Sequence, residues 1–324
     1  TWTPYLSYEY IKDIIRDDDL FYFNTKGGYF TWNPSTMEYQ TYSPIDGLSD
    51  VDASAMYLDT ATNNLFLGYE DGTINYFQKP FSSPRFVTDI TRTNLFTSKR
   101  INDFEARNGL LYVATEFGVV IFDIDKEETR SSVTKVADNP SGTPVNDLMI
   151  VDDTLYLCLG TAGLYYTFID QPNITLPSVW EKADNNQRGM SRGEADHLAH
   201  IGSVVYAMVG DTCYTKNPGQ NWVKGPLPHT DKEFFIATDS ALYCDDGNWI
   251  RVDPIDSAQY LILPVRKPTT AYIDSSFVLW GDPATTLQWQ MEDDSLMELG
   301  PDGPQVNIVT EIGVGNGQIY VAPR

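Results

Sequence analysis

Short apolar runs recur along the chain at a regular interval. Four of them begin at Leu20, Leu65, Leu110 and Leu155, so that consecutive runs start 45 residues apart. A glycine follows each run, and a second apolar, often aromatic, stretch follows the glycine. Another short apolar segment precedes each run by about ten residues. Because the apolar positions come in short runs bounded by turn residues, the pattern predicts strands rather than helices.

The segments between the runs are suited to tight reversals of the chain. Asn63-Asn64, Asn108-Gly109 and Asp152-Asp153 are residue pairs that tolerate the left-handed backbone of hairpin turns. The pattern continues less regularly with apolar runs at 204–208, 241–245 and 277–281. Each repeat is therefore interpreted as four short strands joined by polar turns. The glycines that follow the first four runs are Gly28, Gly72, Gly118 and Gly163.

Four strands in a unit of about 40–45 residues predict an all-β fold, a β-propeller. A single such sheet has two apolar faces, and radial stacking covers the faces while leaving only short edges. Seven copies fit, so residues 1–305 are predicted to form a seven-bladed propeller, with eight blades as the alternative count. Residues 306–324 look like a partial repeat, which either closes the ring or begins a second domain.

The composition agrees with strands and excludes some classes of function. Aromatic residues make up 13% of the 324 residues, and such side chains pack well on a pleated surface. The formal charge is -23, which disfavours binding to nucleic acid. No apolar stretch is long enough to span a membrane. The three cysteines are too few for a disulfide framework and are predicted to be buried free thiols.

Five segments together resemble the N-terminal propeller of PorZ-like proteins. These proteins are components of the type IX secretion system of Bacteroidetes. The likeness is strong over roughly residues 1–170 and only architectural beyond them. Its segments are WTPYLSYEY at 2–10, IDGLSD at 45–50, NNLFLGYEDGTINYF at 63–77, TSKRINDF at 97–104 and LYVATEFGVVIFDIDKEE at 111–128.

This resemblance implies a surface protein associated with the outer membrane. Members of the family have two propellers and a C-terminal sorting domain, and they act in an attachment complex. The implied partners are a sortase-like protease and a β-barrel carrier, with anionic lipopolysaccharide as a further ligand. The chain begins at Thr1 and ends at Arg324, so we expect a removed signal peptide and an N-terminal fragment or a shorter relative.

No constellation of catalytic residues stands out in the sequence. A G-x-S-x-G elbow is absent, and the only histidines are His197, His200 and His229. Three-residue spacing on a strand directs His197 and His200 to opposite faces, which is poor geometry for one metal ion. Asp123 and Asp125 lack the glycine and the later glutamate of a calcium loop. We therefore expect no enzyme activity, no metal site and no cofactor.

The segment 183–200 is the candidate binding site. It links the fourth and fifth repeats and contains Arg188 and Arg192, which form a basic spot on a very acidic chain. Guanidinium groups bind phosphate and carboxylate through two parallel hydrogen bonds, as recognition of an anionic glycan would require. A solvated connecting loop without a ligand is the alternative interpretation.

Three functions remain open on the sequence alone. The first is a non-catalytic component of the secretion machinery that presents loops to partners. The second is the glycan-sensing periplasmic propeller of a hybrid two-component regulator, because the GLSD segment recurs in such domains. The third is a polysaccharide-active propeller enzyme, which would require a pair of carboxylates in the central channel.

Overall fold

The computed structural model describes residues 6–183 and 189–225 and, beyond them, a series of separate segments. Side chains are described up to residue 225 and in most segments from 269 to 301. Those further segments are 235–237, 242–245, 249–252, 259–263, 269–273, 277–281, 287–291, 296–301, 309–315 and 318–323.

Within these residues the chain forms seven four-stranded antiparallel sheets and one two-stranded hairpin, which confirms the all-β prediction. In every four-stranded sheet the strands lie in chain order. Sheets 1 to 4 contain β1 (Ile11–Asp17), β2 (Leu20–Thr25), β3 (Gly28–Asn33), β4 (Glu38–Tyr42); β5 (Ala55–Asp59), β6 (Asn64–Gly68), β7 (Ile74–Gln78), β8 (Arg85–Val87); β9 (Ile101–Arg107), β10 (Leu110–Thr115), β11 (Gly118–Asp123), β12 (Glu128–Val133); and β13 (Asp147–Val151), β14 (Thr154–Cys158), β15 (Leu164–Phe168), β16 (Glu181–Lys182).

The later sheets repeat this arrangement. Two single-turn 3-10 helices, Pro44–Asp46 and Pro177–Val179, are the helical elements of the described residues. Sheets 5 to 7 and the hairpin contain β17 (Ala195–Ile201), β18 (Val204–Val209), β19 (Thr212–Lys216), β20 (Val223–Lys224); β21 (Phe235–Ala237), β22 (Leu242–Asp245), β23 (Trp249–Val252), β24 (Gln259–Leu263); β25 (Thr270–Ile273), β26 (Phe277–Gly281), β27 (Leu287–Met291), β28 (Leu296–Leu299); and β29 (Val309–Gly315), β30 (Gln318–Pro323).

The apolar runs that recur every 45 residues form the second strand of each of the first four sheets. These strands, β2, β6, β10 and β14, are buried along almost their whole length. A second strand has a hydrogen-bonded neighbour on each side, which covers both of its edges. Since successive side chains point to opposite faces of a sheet, their burial shows that both faces are covered as well. This explains why the runs are continuously apolar instead of alternating with polar residues.

The chain divides into two compact units. The first contains Thr1–Ala53, Asn75–Arg85 and Pro268–Arg324, and the second contains Ser54–Ile74 and Phe86–Lys267. In the first unit β1 contacts β25, which brings the first strands of sheets 1 and 7 together. The Thr269 hydroxyl, one residue before β25, donates a hydrogen bond to the carbonyl oxygen of Ile11 on β1.

In the second unit the first strands of consecutive sheets also lie side by side. Strand β9 contacts β5 and β13, and β17 contacts β13 and β21. A side chain at the start of one first strand bonds to the backbone at the start of the next. Ser54 Oγ lies 2.7 Å from the carbonyl oxygen of Ile101, and Asn102 Nδ2 lies 2.9 Å from that of Val145. These bonds set the register between neighbouring sheets.

We expect Asn102→Ala to lower the free energy of unfolding by about 1–2 kcal/mol, because the variant leaves a partly buried carbonyl without its donor. Asn139→Ala is the matched control, since the Asn139 amide donates to the carbonyl of Val136 in its own loop. Urea denaturation monitored by tryptophan fluorescence measures both changes. If both variants lost the same free energy of unfolding, the hydrogen bond between sheets would contribute no more to stability than a bond within a loop.

Candidate binding surface

The candidate loop around Arg192 is held in place by the packing of Gly189 and Met190, three and two residues before it. Met190 is completely buried in a cluster that includes Trp222. Gly189 has a φ of +86°, and a Cβ atom at this position would lie only 2.0 Å from the carbonyl oxygen of Trp222. The chain therefore needs a glycine here in order to pass against the backbone of Trp222.

The residues on either side of Arg192 are also held in place. The Ser191 hydroxyl lies 2.5 Å from the Tyr214 hydroxyl. On the other side, the backbone N–H of Gly210 donates to the carbonyl oxygen of Glu194 over 2.8 Å. A Cβ atom on Gly193 would lie 2.9 Å from the Gly210 nitrogen, so this contact is close. The described part of the loop is thus tightly packed.

Arg192 itself is exposed to solvent at this packed turn. Its predicted companion, Arg188, lies outside the described residues. Glu194, two residues after Arg192, is also exposed, so the described part of the loop carries charges of both signs. Arg100, immediately before β9, is engaged in an ion pair, because its Nε lies 3.2 Å from Glu70 Oε1.

Sequence reasoning missed a carboxyl pair on the first strands of sheets 3 and 4. Asp103 on β9 and Asp147 on β13 are partly buried, and their side chains form a hydrogen bond with each other. Burial raises the pKa of the Asp147 carboxyl well above its ordinary value, and the negative charge of Asp103 raises it further. The segments INDF at 101–104 and VNDL at 145–148 place both aspartates at the same position of consecutive repeats, and this repetition was the available signal.

Glu105 extends the acidic surface along β9. Burial raises its pKa to about 8, and nearby Asp103 and Asp59 raise it as well, whereas Arg107 lowers it. In the first unit, burial likewise raises the pKa of Asp13 to about 6, against the hydrogen bond from Asn24 Nδ2 at 2.7 Å. Each unit therefore has partly buried carboxyl groups on the first strands of its sheets.

The carboxyl pair does not have the geometry of a glycosidase site. Two catalytic carboxyls of such an enzyme stand about 5–9 Å apart, with the sugar or a water between them. Asp103 and Asp147 bond directly to each other, and each also accepts a backbone N–H from the neighbouring sheet. Their hydrogen-bonding capacity is therefore directed toward the contact between sheets.

The other residues considered for metal binding have local partners. Asp123 accepts hydrogen bonds from the backbone and side-chain nitrogens of Lys126, at 3.0 and 2.6 Å. His200 Nδ1 lies 3.0 Å from the carbonyl oxygen of Gly202. Within the part of the chain that the structure describes, no group of three or more potential ligands is arranged to hold a metal ion.

Aromatic side chains that could stack on a sugar are mostly inside the protein. Trp180, Trp222 and Trp280 are each at most 4% exposed. Buried Cys158 and Cys213 are free thiols, as predicted, and the side chain of Cys244 lies outside the described residues. No helix in the described part of the chain has the length and apolar character needed to cross a membrane.

A small cavity of about 160 Å³ lies beside the outer strands of sheet 3. Phe96 and Phe117, whose rings stack at 4.7 Å, line one side of it. Asp89 lies at its rim and accepts hydrogen bonds from the backbone nitrogen and the hydroxyl of Thr129, at 3.3 and 2.8 Å. These contacts attach the segment between β8 and β9 to sheet 3.

Comparison with known proteins finds a sequence match in the first half of the chain and structural likenesses over most of it. The sequence model of the family described as the N-terminal β-propeller domain of PorZ, from the type IX secretion system, matches residues 21–181. No protein of curated function matches the sequence. A solved structure of PorZ, described as an essential bacterial surface component of the type IX secretion system of Porphyromonas gingivalis, superposes with a TM-score of 0.78 at 16% identity.

That superposition covers 99% of this chain and 42% of the PorZ chain, so this chain spans less than half the length of that protein. The extracellular domain described for a hybrid two-component system of B. thetaiotaomicron has a TM-score of 0.68 at 14% identity, covering 96% of this chain and 44% of that one. The WD40 β-propeller domain of Doa1 has a TM-score of 0.59 at 10% identity, covering 91% and 96%. These likenesses show that the fold is a β-propeller.

Proposed function

Because the model of the PorZ N-terminal β-propeller family of the type IX secretion system matches residues 21–181, we propose that the chain is a non-catalytic component of that system at the cell surface. Its role is to scaffold partner proteins, namely a sortase-like protease and a β-barrel carrier of the outer membrane. The family match is the observation that carries this proposal. The protein works outside the cytoplasm after removal of a signal peptide.

The proposal includes seven blades in one ring. It is supported by the seven four-stranded sheets and by the side-by-side first strands within each unit. Eight blades would require the hairpin β29–β30 to belong to a further blade. An experimental structure in which the seven sheets surround one axis would establish the count.

Binding of partners is tested in the bacterium that carries the gene. We expect the tagged full-length protein to co-purify with outer-membrane proteins of the secretion system. We also expect deletion of the gene to abolish surface attachment of secreted cargo. Normal export and attachment of cargo in the deletion strain would overturn the proposal. Turnover of acidic polysaccharides by the purified protein would contradict a non-catalytic role.

Arg188 and Arg192 are proposed to bind an anionic glycan such as lipopolysaccharide. The exposure of Arg192 on a packed turn supports this part of the proposal, because the backbone that carries the guanidinium group is already held in place and loses little entropy on binding. The guanidinium group of arginine is planar and its positive charge is delocalised, so it matches the geometry of phosphate and carboxylate groups.

We expect Arg192→Ala to weaken binding of purified anionic lipopolysaccharide about tenfold, the loss typical of one charge-assisted hydrogen bond. Arg92→Ala is the matched control, since Arg92 is an exposed arginine on a different loop of the same unit. Binding is measured by biolayer interferometry, and the melting temperature of both variants should equal that of the wild type. If Arg192→Ala and the wild type bound lipopolysaccharide with equal affinity, Arg192 would not be part of the binding site.

A sensory domain of a hybrid two-component regulator is the second candidate function. The TM-score of 0.68 to the extracellular domain from B. thetaiotaomicron supports it. The two candidates differ in the domains that the gene encodes downstream of the propeller. A membrane span and a histidine-kinase domain there would favour the sensor, whereas a sorting domain would favour the secretion component.

A further inference from the structure

The first strands of sheets 3, 4 and 5 are linked by two aspartate side chains. Asp103 Oδ2 on β9 accepts the backbone N–H of Leu148 on β13 over 3.2 Å. Asp147 Oδ2 on β13 accepts the backbone N–H of Leu198 on β17 over 2.8 Å. Each carboxyl therefore connects its own sheet to the backbone of the next sheet, and β13 takes part in both connections.

The same two carboxyls also bond to each other. Two ionised carboxylates can only accept hydrogen bonds, so this contact requires a proton on one of them. Glu105 lies two residues after Asp103 and therefore on the same face of β9. Its charge acts on Asp147 as well. The contact between sheets thus concentrates negative charge in a partly buried place.

The surrounding strands supply few charges that could compensate. Among the described residues Asp147 has no ion pair, and Arg107, at the end of β9, pairs with Asp153 at 3.1 Å. The thiol of Cys158 lies on β14, where Cys158 is the register partner of Asp147. The titratable and charged groups around the pair are Asp59 at the end of β5, Glu105 and Arg107 on β9, Cys158 on β14, and Asp196 and His197 on β17.

We propose that Asp103 and Asp147 form a proton-dependent clasp between the first strands of sheets 3, 4 and 5. A proton shared by the two carboxyls holds β13 against β9 and β17. When this proton is lost as the pH rises, two adjacent carboxylates repel each other and the contacts of β13 loosen. The clasp would make the middle of the second unit more open at high pH than at low pH.

The direction of the pH dependence is set by which state binds the proton more tightly. The folded chain raises the pKa of Asp147 well above its ordinary value and that of Glu105 to about 8. The unfolded chain releases these protons above about pH 4. The contribution of these carboxyls to the stability of the folded state is therefore largest below that pH, and it falls as the pH rises toward the folded values.

The test uses Cys158 as a local probe, because this thiol is completely buried and reacts only when its strand opens. Buried Cys213, on β19, is the internal reference. Labelling by N-ethylmaleimide is followed by mass spectrometry of peptides and is normalised to the unfolded chain at the same pH. From about pH 6 to about pH 9 we expect the normalised rate at Cys158 to rise about tenfold or more, and that at Cys213 less than about twofold.

Asp147→Asn replaces the protonated acid by an amide of the same shape, which can still accept from Leu198 and donate to Asp103. In this variant we expect the rise at Cys158 to be at least about threefold smaller than in the wild type, because the carboxyl pair has no proton left to lose and Glu105 still titrates in this range. Asp125→Asn is the matched control on an exposed turn and should behave as the wild type. Asp103→Asn is the second variant and should reproduce Asp147→Asn.

Three results would overturn the clasp. One is a rate at Cys158 that does not change with pH in the wild type, and another is a parallel rise at Cys158 and Cys213, which would indicate global unfolding. The third is a rise at Cys158 in both Asn variants that is as large as in the wild type. Failure of both variants to fold would also count against the proposal, since the amide preserves the hydrogen bonds of the protonated form.

Discussion

Gly118→Ala is expected to lower the free energy of unfolding by about 3 kcal/mol or more, or to prevent folding. Gly118 has a φ of +131°, a backbone conformation that side chains with a Cβ rarely adopt. A Cβ atom here would also lie 2.1 Å from the carbonyl oxygen of Val133, so the hairpin β11–β12 would have to separate. Urea denaturation measures the loss.

A second glycine provides the matched control for this prediction. Gly202 also has a positive φ, of +57°, but a Cβ atom there would have nothing within 4 Å. Gly202→Ala should therefore cost only the backbone strain, about 1 kcal/mol. If the two substitutions cost the same, the close approach to Val133 would not be the cause of the effect at Gly118.

Trp32→Ala is expected to lower the free energy of unfolding by about 3–5 kcal/mol, the usual cost of emptying a large buried aromatic site. Trp32 on β3 is completely buried. Its ring lies 5.6 Å from that of Phe21 and 5.3 Å from that of Trp289 on β27. It therefore packs sheet 1 against sheet 7 within the first unit, and guanidinium denaturation should show the loss of this contact.

Two further variants separate packing from other effects of the substitution. The indole N–H of Trp32 has no hydrogen-bond partner among the described residues, so Trp32→Phe loses volume but no bond. It should cost about 1–2 kcal/mol. Ile45 is 64% exposed in the same unit, and Ile45→Ala should change stability by less than about 0.5 kcal/mol. A loss at Trp32→Ala as small as that at Ile45→Ala would mean that sheets 1 and 7 do not depend on this packing.

The repeat and its turns were predictable because they depend on residues close together in the chain. The hairpin turn at 115–118 illustrates this. The Thr115 hydroxyl donates to the carbonyl oxygen of Gly118 over 2.9 Å, and Thr25 and Gly28 repeat the same bond in sheet 1. A threonine three residues before a glycine is visible in the sequence, so the position of these turns could be anticipated.

The candidate site was predictable only in part. The sequence indicated Arg192 because a basic residue in a connecting segment of an acidic chain is unusual. It did not indicate that Met190 and Trp222 would bury the base of the loop, since those residues are far apart in the chain. Whether a connecting segment is packed or merely solvated depends on contacts with a neighbouring sheet, which periodicity does not report.

The sequence by itself determined the strand class, the repeat length and the glycines at the turns, because each depends on the spacing of short apolar runs and on the backbone freedom of nearby residues. Only the tertiary structure decided that Asp103 and Asp147, 44 residues apart, share one hydrogen bond. Their contact depends on how two successive sheets are rotated, and their tendency to hold a proton depends on the burial that this rotation creates.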